Sequence, residues 1–221
     1  MARLLVHVEG LTEEAFVREM LRDHLLASGF SDVGVRIMGN ARLRLRRGGI
    51  RPWPSARKDI INHLKEDTGC IATTMVDYYG LPADFPGMDS RPPHGTPLQR
   101  VTHIENALAQ HFGSPANFVP FLALHEFEAW LFSSTAELPR ALSESLKQKE
   151  FEAIRASVAT PEEINERPEL APSKRIVNLF PAYRKALHGP ITAQRIGLKQ
   201  IRSECPHFND WMTKLEVFST S

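Results

Sequence analysis

Four short apolar runs, each separated from the next by a stretch of helical period, constrain this chain more than any other property of its sequence. They are LLVHV from Leu4, VGVRIMG from Val33, CIATTMVDYYG from Cys70 and NFVPFLALHEF from Asn117. Runs rich in β-branched residues and bounded by turn formers read as buried strands. After the first, Phe16, Val17, Met20, Leu21 and Leu25 recur on one helical face, with Thr12 expected as N-cap and the helix ending near Gly29. Further helices are expected from about Ser55 to Lys65 and from about Leu98 to His111. Five prolines, Pro82, Pro86, Pro92, Pro93 and Pro97, keep residues 81–97 as a loop. The fourth run is expected to pass from strand into helix before Phe132.

Such a β-α-β-α-β-α-β order predicts an α/β fold, a mostly parallel four-stranded sheet flanked by helices. From about Ala136 onward the pattern is helices joined by Pro-containing turns, with no strand signal. The expected organisation is therefore an α/β core over residues 1–135 and a helical C-terminal extension, residues 136–221, packed on that core.

Bulk properties exclude more than they specify. A chain of 221 residues with 42% hydrophobic content has enough material for a core, and its net charge of +1 predicts no partner from whole-molecule electrostatics. The two cysteines, Cys70 and Cys205, form neither a disulfide framework nor a paired zinc motif, which suits a reducing cytoplasm. No signal peptide or run of membrane-spanning length is expected, so the reading is a soluble cytoplasmic protein without a membrane partner.

In open parallel sheets the ligand site lies at the carboxyl ends of the strands. Three of the four expected strands end in acids: Glu9 closes the first, Asp77 the third, and Glu126 and Glu128 follow the fourth, while Glu13 stands in the first turn of the helix after Glu9. Carboxylates gathered at one edge repel one another unless a cation neutralises them, and a hard divalent ion such as Mg2+ or Mn2+ takes oxygen ligands of this kind. Glu13 and its neighbour Glu14 also sit where a helix dipole favours anions, so capping is an alternative reading for both. Spacing leaves Glu126 and Glu128 open, since they share a side in extended chain and diverge in a helix. The DxxG match in DYYG, Asp77 to Gly80, has no G-x-x-x-x-G-K-[ST] before it, which excludes a P-loop nucleotidase.

Positive charge is local. Between Ala41 and Lys58, Arg42, Arg44, Arg46, Arg47, Arg51, Arg57 and Lys58 occur with no acid among them. This stretch follows the second strand and is a candidate grip for a nucleic-acid backbone, with a solvated surface as the alternative. Lys174 in PSKR is a second candidate, placed to stabilise charge on a phosphoryl group, or else simply displayed by a helix that Ser173 caps.

VEGLTEE, MVDYYGLP and LHEFEAWLF, with APSKRIVNLFPAYRK, GPITAQRIGL and IRSECPHFNDW further on, resemble domain-of-unknown-function family 4276 and, more distantly, Toprim domains. Toprim domains occur in topoisomerases, primases and overcoming-lysogenization-defect nucleases, where acids hold magnesium for phosphoryl transfer on nucleic acid. The resemblance implies a Toprim-like fold and a metal-dependent nuclease-like phosphodiesterase. Glu9 and Lys174 would be catalytic, and Glu9, Glu13, Asp77, Glu126 and Glu128 would form the metal set. It further implies an ATPase partner related to SMC or ABC proteins and a place in bacterial anti-phage defence. Where the Toprim third strand carries Asp-x-Asp, this chain has Asp77 and Tyr79. The alternative expectation is a non-catalytic subunit that docks on an ATPase or senses nucleic acid, and a primase or topoisomerase relative is the third.

Overall fold

The computed structural model describes residues 2–38, 53–66, 69–164 and 168–219. β1 (Arg3–Val8) leads through the Gly10 turn into a continuous helical stretch made of α1 (Leu11–Phe16), a π-helical segment (Val17–Leu21) and α2 (Arg22–Ser28). The stop falls where expected, at Gly29. Its φ of +126° suits glycine, and a Cβ there would lie 2.9 Å from the Ser219 carbonyl oxygen. The start differs. Gly10, in extended conformation, is the N-cap, and Thr12 is a buried helical residue. Glu13 is thereby the third helical residue, able to reach back to the Gly10 amide as the acid of a capping box does.

β2 (Asp32–Ile37), α3 (Trp53–Glu66) and β3 (Cys70–Asp77) follow, and α4 (Pro97–His111) then starts from a Thr96 capping box closed by Gln99. β4 (Phe118–Val119) and β5 (Leu122–Ala123) both pair with β3 in one register, interrupted at Pro120. Proline has no N–H to give, and side chains of β3 patch the gap. The Thr74 hydroxyl accepts from the Phe121 amide at 2.9 Å and donates to the Phe121 carbonyl at 3.0 Å, while Thr73 donates to the Val119 carbonyl.

All pairings are parallel, in the order β2-β1-β3-β4 with β5 also on β3. The fold is thus α/β, a mostly parallel sheet flanked by helices, as the alternation predicts. The fourth run does not end in an α-helix. After β5 it passes into a 3-10 helix, Phe127–Ser133, that is wholly buried.

The C-terminal third contributes α5 (Glu137–Ala141), α6 (Gln148–Ala156), α7 (Pro172–Leu179), α8 (Lys185–Ile196), α9 (Leu198–Glu204) and α10 (Pro206–Ser219). Side chains of these helices, among them Phe151, Ile176, Ala193, Phe208 and Trp211, pack in one cluster with Leu4, Val6, Val8, Phe16 and Trp130. Residues on both sides of position 135 therefore fill one core on this face of the sheet. On the other face α3 and α4 cover Ala72, Val76 and Leu122 through Ala56, Ile60, Val101, Ile104 and Leu108. Among the described residues no helix is long and apolar enough to cross a membrane.

Candidate functional site

The order β2-β1-β3 places a topological switch point between β1 and β3, because the chain leaves β1 toward one side for β2 and returns to the other for β3. A crevice at the carboxyl ends of the strands opens at such a point. Glu9 follows β1 and Asp77 ends β3, so the two acids flank it. Asp77 is buried, and its Oδ1 accepts the amide of Phe127 at 2.9 Å, the first residue of the 3-10 helix. That bond satisfies an N–H which a helix start leaves unpaired, and it fixes the carboxylate.

Facing these acids is a residue that sequence reasoning passed over. Lys185, the first residue of α8, places Nζ 2.9 Å from Asp77 Oδ2, 3.1 Å from Glu128 Oε2 and 3.9 Å from Glu13 Oε1. Glu128 is fully buried and Glu13 nearly so. The Tyr183 hydroxyl donates to Glu128 Oε1 at 3.3 Å, so residues 183 and 185 between them engage both oxygens of that carboxylate. α8 comes this close because Gly189 lies where a Cβ would be 3.1 Å from Phe127 Cε1 and 3.2 Å from Thr12 Cγ2. Gly10 has a comparable part, since a Cβ there would meet Glu13 Oε2 at 3.2 Å.

Four carboxyl groups near one ammonium are mutually strained by charge. Burial, followed by the repulsion of Asp77 and Glu13, raises the Glu9 carboxyl to about 8. Burial raises Glu13 to about 7 against the pull of Lys185, with hydrogen bonds from its own amide and that of Gly10 drawing it down. Burial likewise lifts Glu128 to about 7, with Lys185 opposing. The Lys185 ammonium is held well above its ordinary value by Asp77, Glu128 and Glu13, which outweigh its desolvation. The same desolvation, with Glu128 next, raises the Tyr183 phenol well above its usual range.

The structure divides the remaining expected residues. Glu126 and Glu128 part company: Glu128 turns to Lys185, whereas Glu126 Oε2 accepts the Ser173 amide at 3.0 Å at the start of α7. Glu126 thus serves the α7 N-terminus, in the capping role expected of Ser173. Lys174 is exposed beside that contact, and among the described residues no hydrogen bond or ion pair joins it to the acids. Glu14 pairs with exposed Arg18 at 2.9 Å and stays outside the cluster. Arg42, Arg44, Arg46, Arg47 and Arg51 lie outside the described residues. Arg57 donates to His111 Nε2 at 2.8 Å and Lys58 is exposed, both on α3 and without a bond to the acids. His125 is buried, which keeps its ring neutral by lowering it to about 4.

Among the described residues no three His, Cys, Asp or Glu side chains stand ready to hold a metal ion. The Lys185 ammonium takes the centre that the sequence assigned to a cation. The donor chemistry nonetheless fits a hard divalent ion, since the ligands are all carboxylate oxygens and the acids outnumber the ammonium.

A parallel α/β protein with a buried carboxylate cluster at its switch point is the class that fold and site define. The family model for DUF4276, a domain of unknown function, matches residues 8–216, and the chain belongs to that family. No curated protein matches it, and no solved structure does.

Proposed function

We propose that this protein is a metal-dependent nuclease-like phosphodiesterase acting on nucleic acid, with a Toprim-like core. One observation carries the reading: Glu13, Asp77 and Glu128 meet at the switch point about a single ammonium, with Glu9 close enough to feel the charges of Asp77 and Glu13. The Toprim likeness is supported by an acid after β1, an acid ending β3 and a parallel sheet between helices.

In this reading Glu9 and Glu13, with Asp77, hold magnesium or manganese. When bound, such an ion polarises a phosphoryl oxygen and acidifies a water. Glu9, at the end of β1 beside that ion, is suited to exchange a proton with the attacking or leaving oxygen. Lys185 contributes a positive charge toward a phosphate, fixed by the buried carboxylates it faces. Nucleic-acid backbone is the substrate class because the arginine-rich stretch from Arg42 to Lys58 follows β2 in the chain. An ATPase partner of SMC or ABC type and a role in defence against phage rest on family resemblance alone.

The test incubates purified protein with linear, nicked and single-stranded DNA and with RNA, in magnesium or manganese, beside Glu9→Ala. Cleavage lost in the variant supports the reading, and cleavage unaltered by it removes Glu9 from the chemistry. Magnesium or manganese is expected to raise the melting temperature, with the gain abolished in Asp77→Ala.

A second reading has its own observation. Lys185 already neutralises Asp77 and Glu128, as it would in a scaffold that keeps the fold without the reaction. That non-catalytic subunit would dock on an ATPase or sense nucleic acid. It expects nucleic-acid binding with no cleavage and no thermal response to divalent ions.

A further inference from the structure

Two carboxylates of the site meet a protein donor at each oxygen, which leaves further lone pairs on each. Asp77 accepts the Phe127 amide at Oδ1 and the Lys185 ammonium at Oδ2. Glu128 accepts the Tyr183 hydroxyl at Oε1 and faces the Lys185 ammonium, 3.1 Å away, at Oε2. Glu13, with its nearest oxygen 3.9 Å from Nζ, is beyond hydrogen-bond reach of the ammonium. Two-metal phosphodiesterases place their ions about 3.5–4 Å apart between shared carboxylates. Here an ammonium delivered by the rigid start of α8 lies among just such carboxylates.

We propose that Lys185 is the resident cation of this site, standing where a two-metal centre holds one of its ions, and that Glu128 and Tyr183 are positioning residues for its ammonium. The inference rests on the phosphodiesterase reading and deepens it. The centre takes one divalent ion, at Glu9 and Glu13 with Asp77 shared, and Glu128 is a support for the lysine and not a metal ligand. Lysine suits this role because its ammonium is a compact point charge that an ion of similar placement can replace. The packing of Gly189 against Thr12 and Phe127 fixes the helix that carries it.

The experiment counts ions and does not depend on turnover. Mn2+ binding to the full chain is measured by electron paramagnetic resonance for wild type, Lys185→Met and Glu128→Gln, with near-ultraviolet circular dichroism reporting the fold of each. The expected result is one ion per chain in wild type and a second ion, or at least tenfold tighter binding, in Lys185→Met. Glu128→Gln, which keeps the side-chain volume, is expected to bind one ion within about threefold of wild type. Loss of a direct ligand to the ion would instead weaken binding far beyond that margin. Two ions in wild type, no gain in Lys185→Met, or a tenfold loss in Glu128→Gln would overturn the proposal while leaving a metal-dependent enzyme standing. Binding by Lys185→Met alone would support the lysine as the ion's stand-in and remove the metal-dependent reading of the native chain. Silence from every protein would remove both. Should Lys185→Met fail to fold, Glu128→Gln decides.

Discussion

Lys185 Nζ donates to Asp77 Oδ2 at 2.9 Å across 108 residues of chain. This contact ties the helical third of the protein to the end of a central strand. It is also the charge that makes a buried acid cluster tolerable, so several measurable properties follow from it.

Stability of the metal-free protein is expected to fall as pH rises from about 6.5 to 8.5. Glu9, Glu13 and Glu128 have carboxyl groups raised to about 8, 7 and 7, against about 4.3 for an unfolded Glu. Above that unfolded value the open chain has lost protons that the folded one retains, so stability declines with pH until the folded groups have titrated. Below about 6.5 the slope flattens, because buried His7, lowered to about 3, and His125, lowered to about 4, favour unfolding as the open chain protonates them. Calorimetry in a chelator is expected to show a decline of roughly 1–3 kcal/mol over the window. Glu13→Gln would lessen the slope, and a rise of melting temperature with pH would contradict the assignment.

Gly189→Ala is expected to destabilise by about 1–3 kcal/mol through overpacking against Thr12 and Phe127. The added methyl also presses on Tyr183, 3.4 Å away at its hydroxyl, and so disturbs the hold on Glu128. Chemical denaturation measures the first effect. An unchanged midpoint would mean that α8 has slack.

Thr74→Val keeps shape and removes the hydroxyl that serves Phe121 at the proline gap in the sheet. The Phe121 amide is then buried without a partner, at a penalty of about 1–3 kcal/mol. Hydrogen exchange of that amide is expected to accelerate along with the loss in denaturation midpoint. Retained protection would show that another acceptor takes over.

Glu162→Ala removes the carboxylate that accepts the amides of His207 and Phe208 at 2.9 and 3.0 Å at the start of α10. Loss of such a cap costs about 1–2 kcal/mol, and burial of the site puts it at the upper end. The measurement is again the denaturation midpoint, with Glu162→Gln recovering part of the loss.

Local pattern made the strands and their flanking helices readable, because apolar period and turn residues are short-range signals. Glu9, Glu13, Asp77 and Glu128 were likewise legible as acids at strand ends and a helix start. The helix start itself moved from Thr12 to Gly10, since a glycine leaves space for the folded-back Glu13 carboxylate and a side chain would not. The arginine-rich stretch and Lys174 drew attention as clustered or motif-borne charge, whereas Lys185 is one of 27 basic residues with nothing local to distinguish it. Its role comes from packing at long sequence separation. One general signal did point toward it: buried acids in such number require an internal cation, and FPAYRK, within the stretch that resembles the family, supplies one.

The descent of Lys185 from the last third of the chain has a consequence for biosynthesis. Every acid of the cluster has left the ribosome well before the lysine that steadies them, and the helices behind it complete the cover over β1. A half-made polypeptide therefore carries the acids as an open, self-repelling group, and the centre comes together only once translation has passed α8. The acidic centre is thus incomplete for as long as the chain that carries it is still being made.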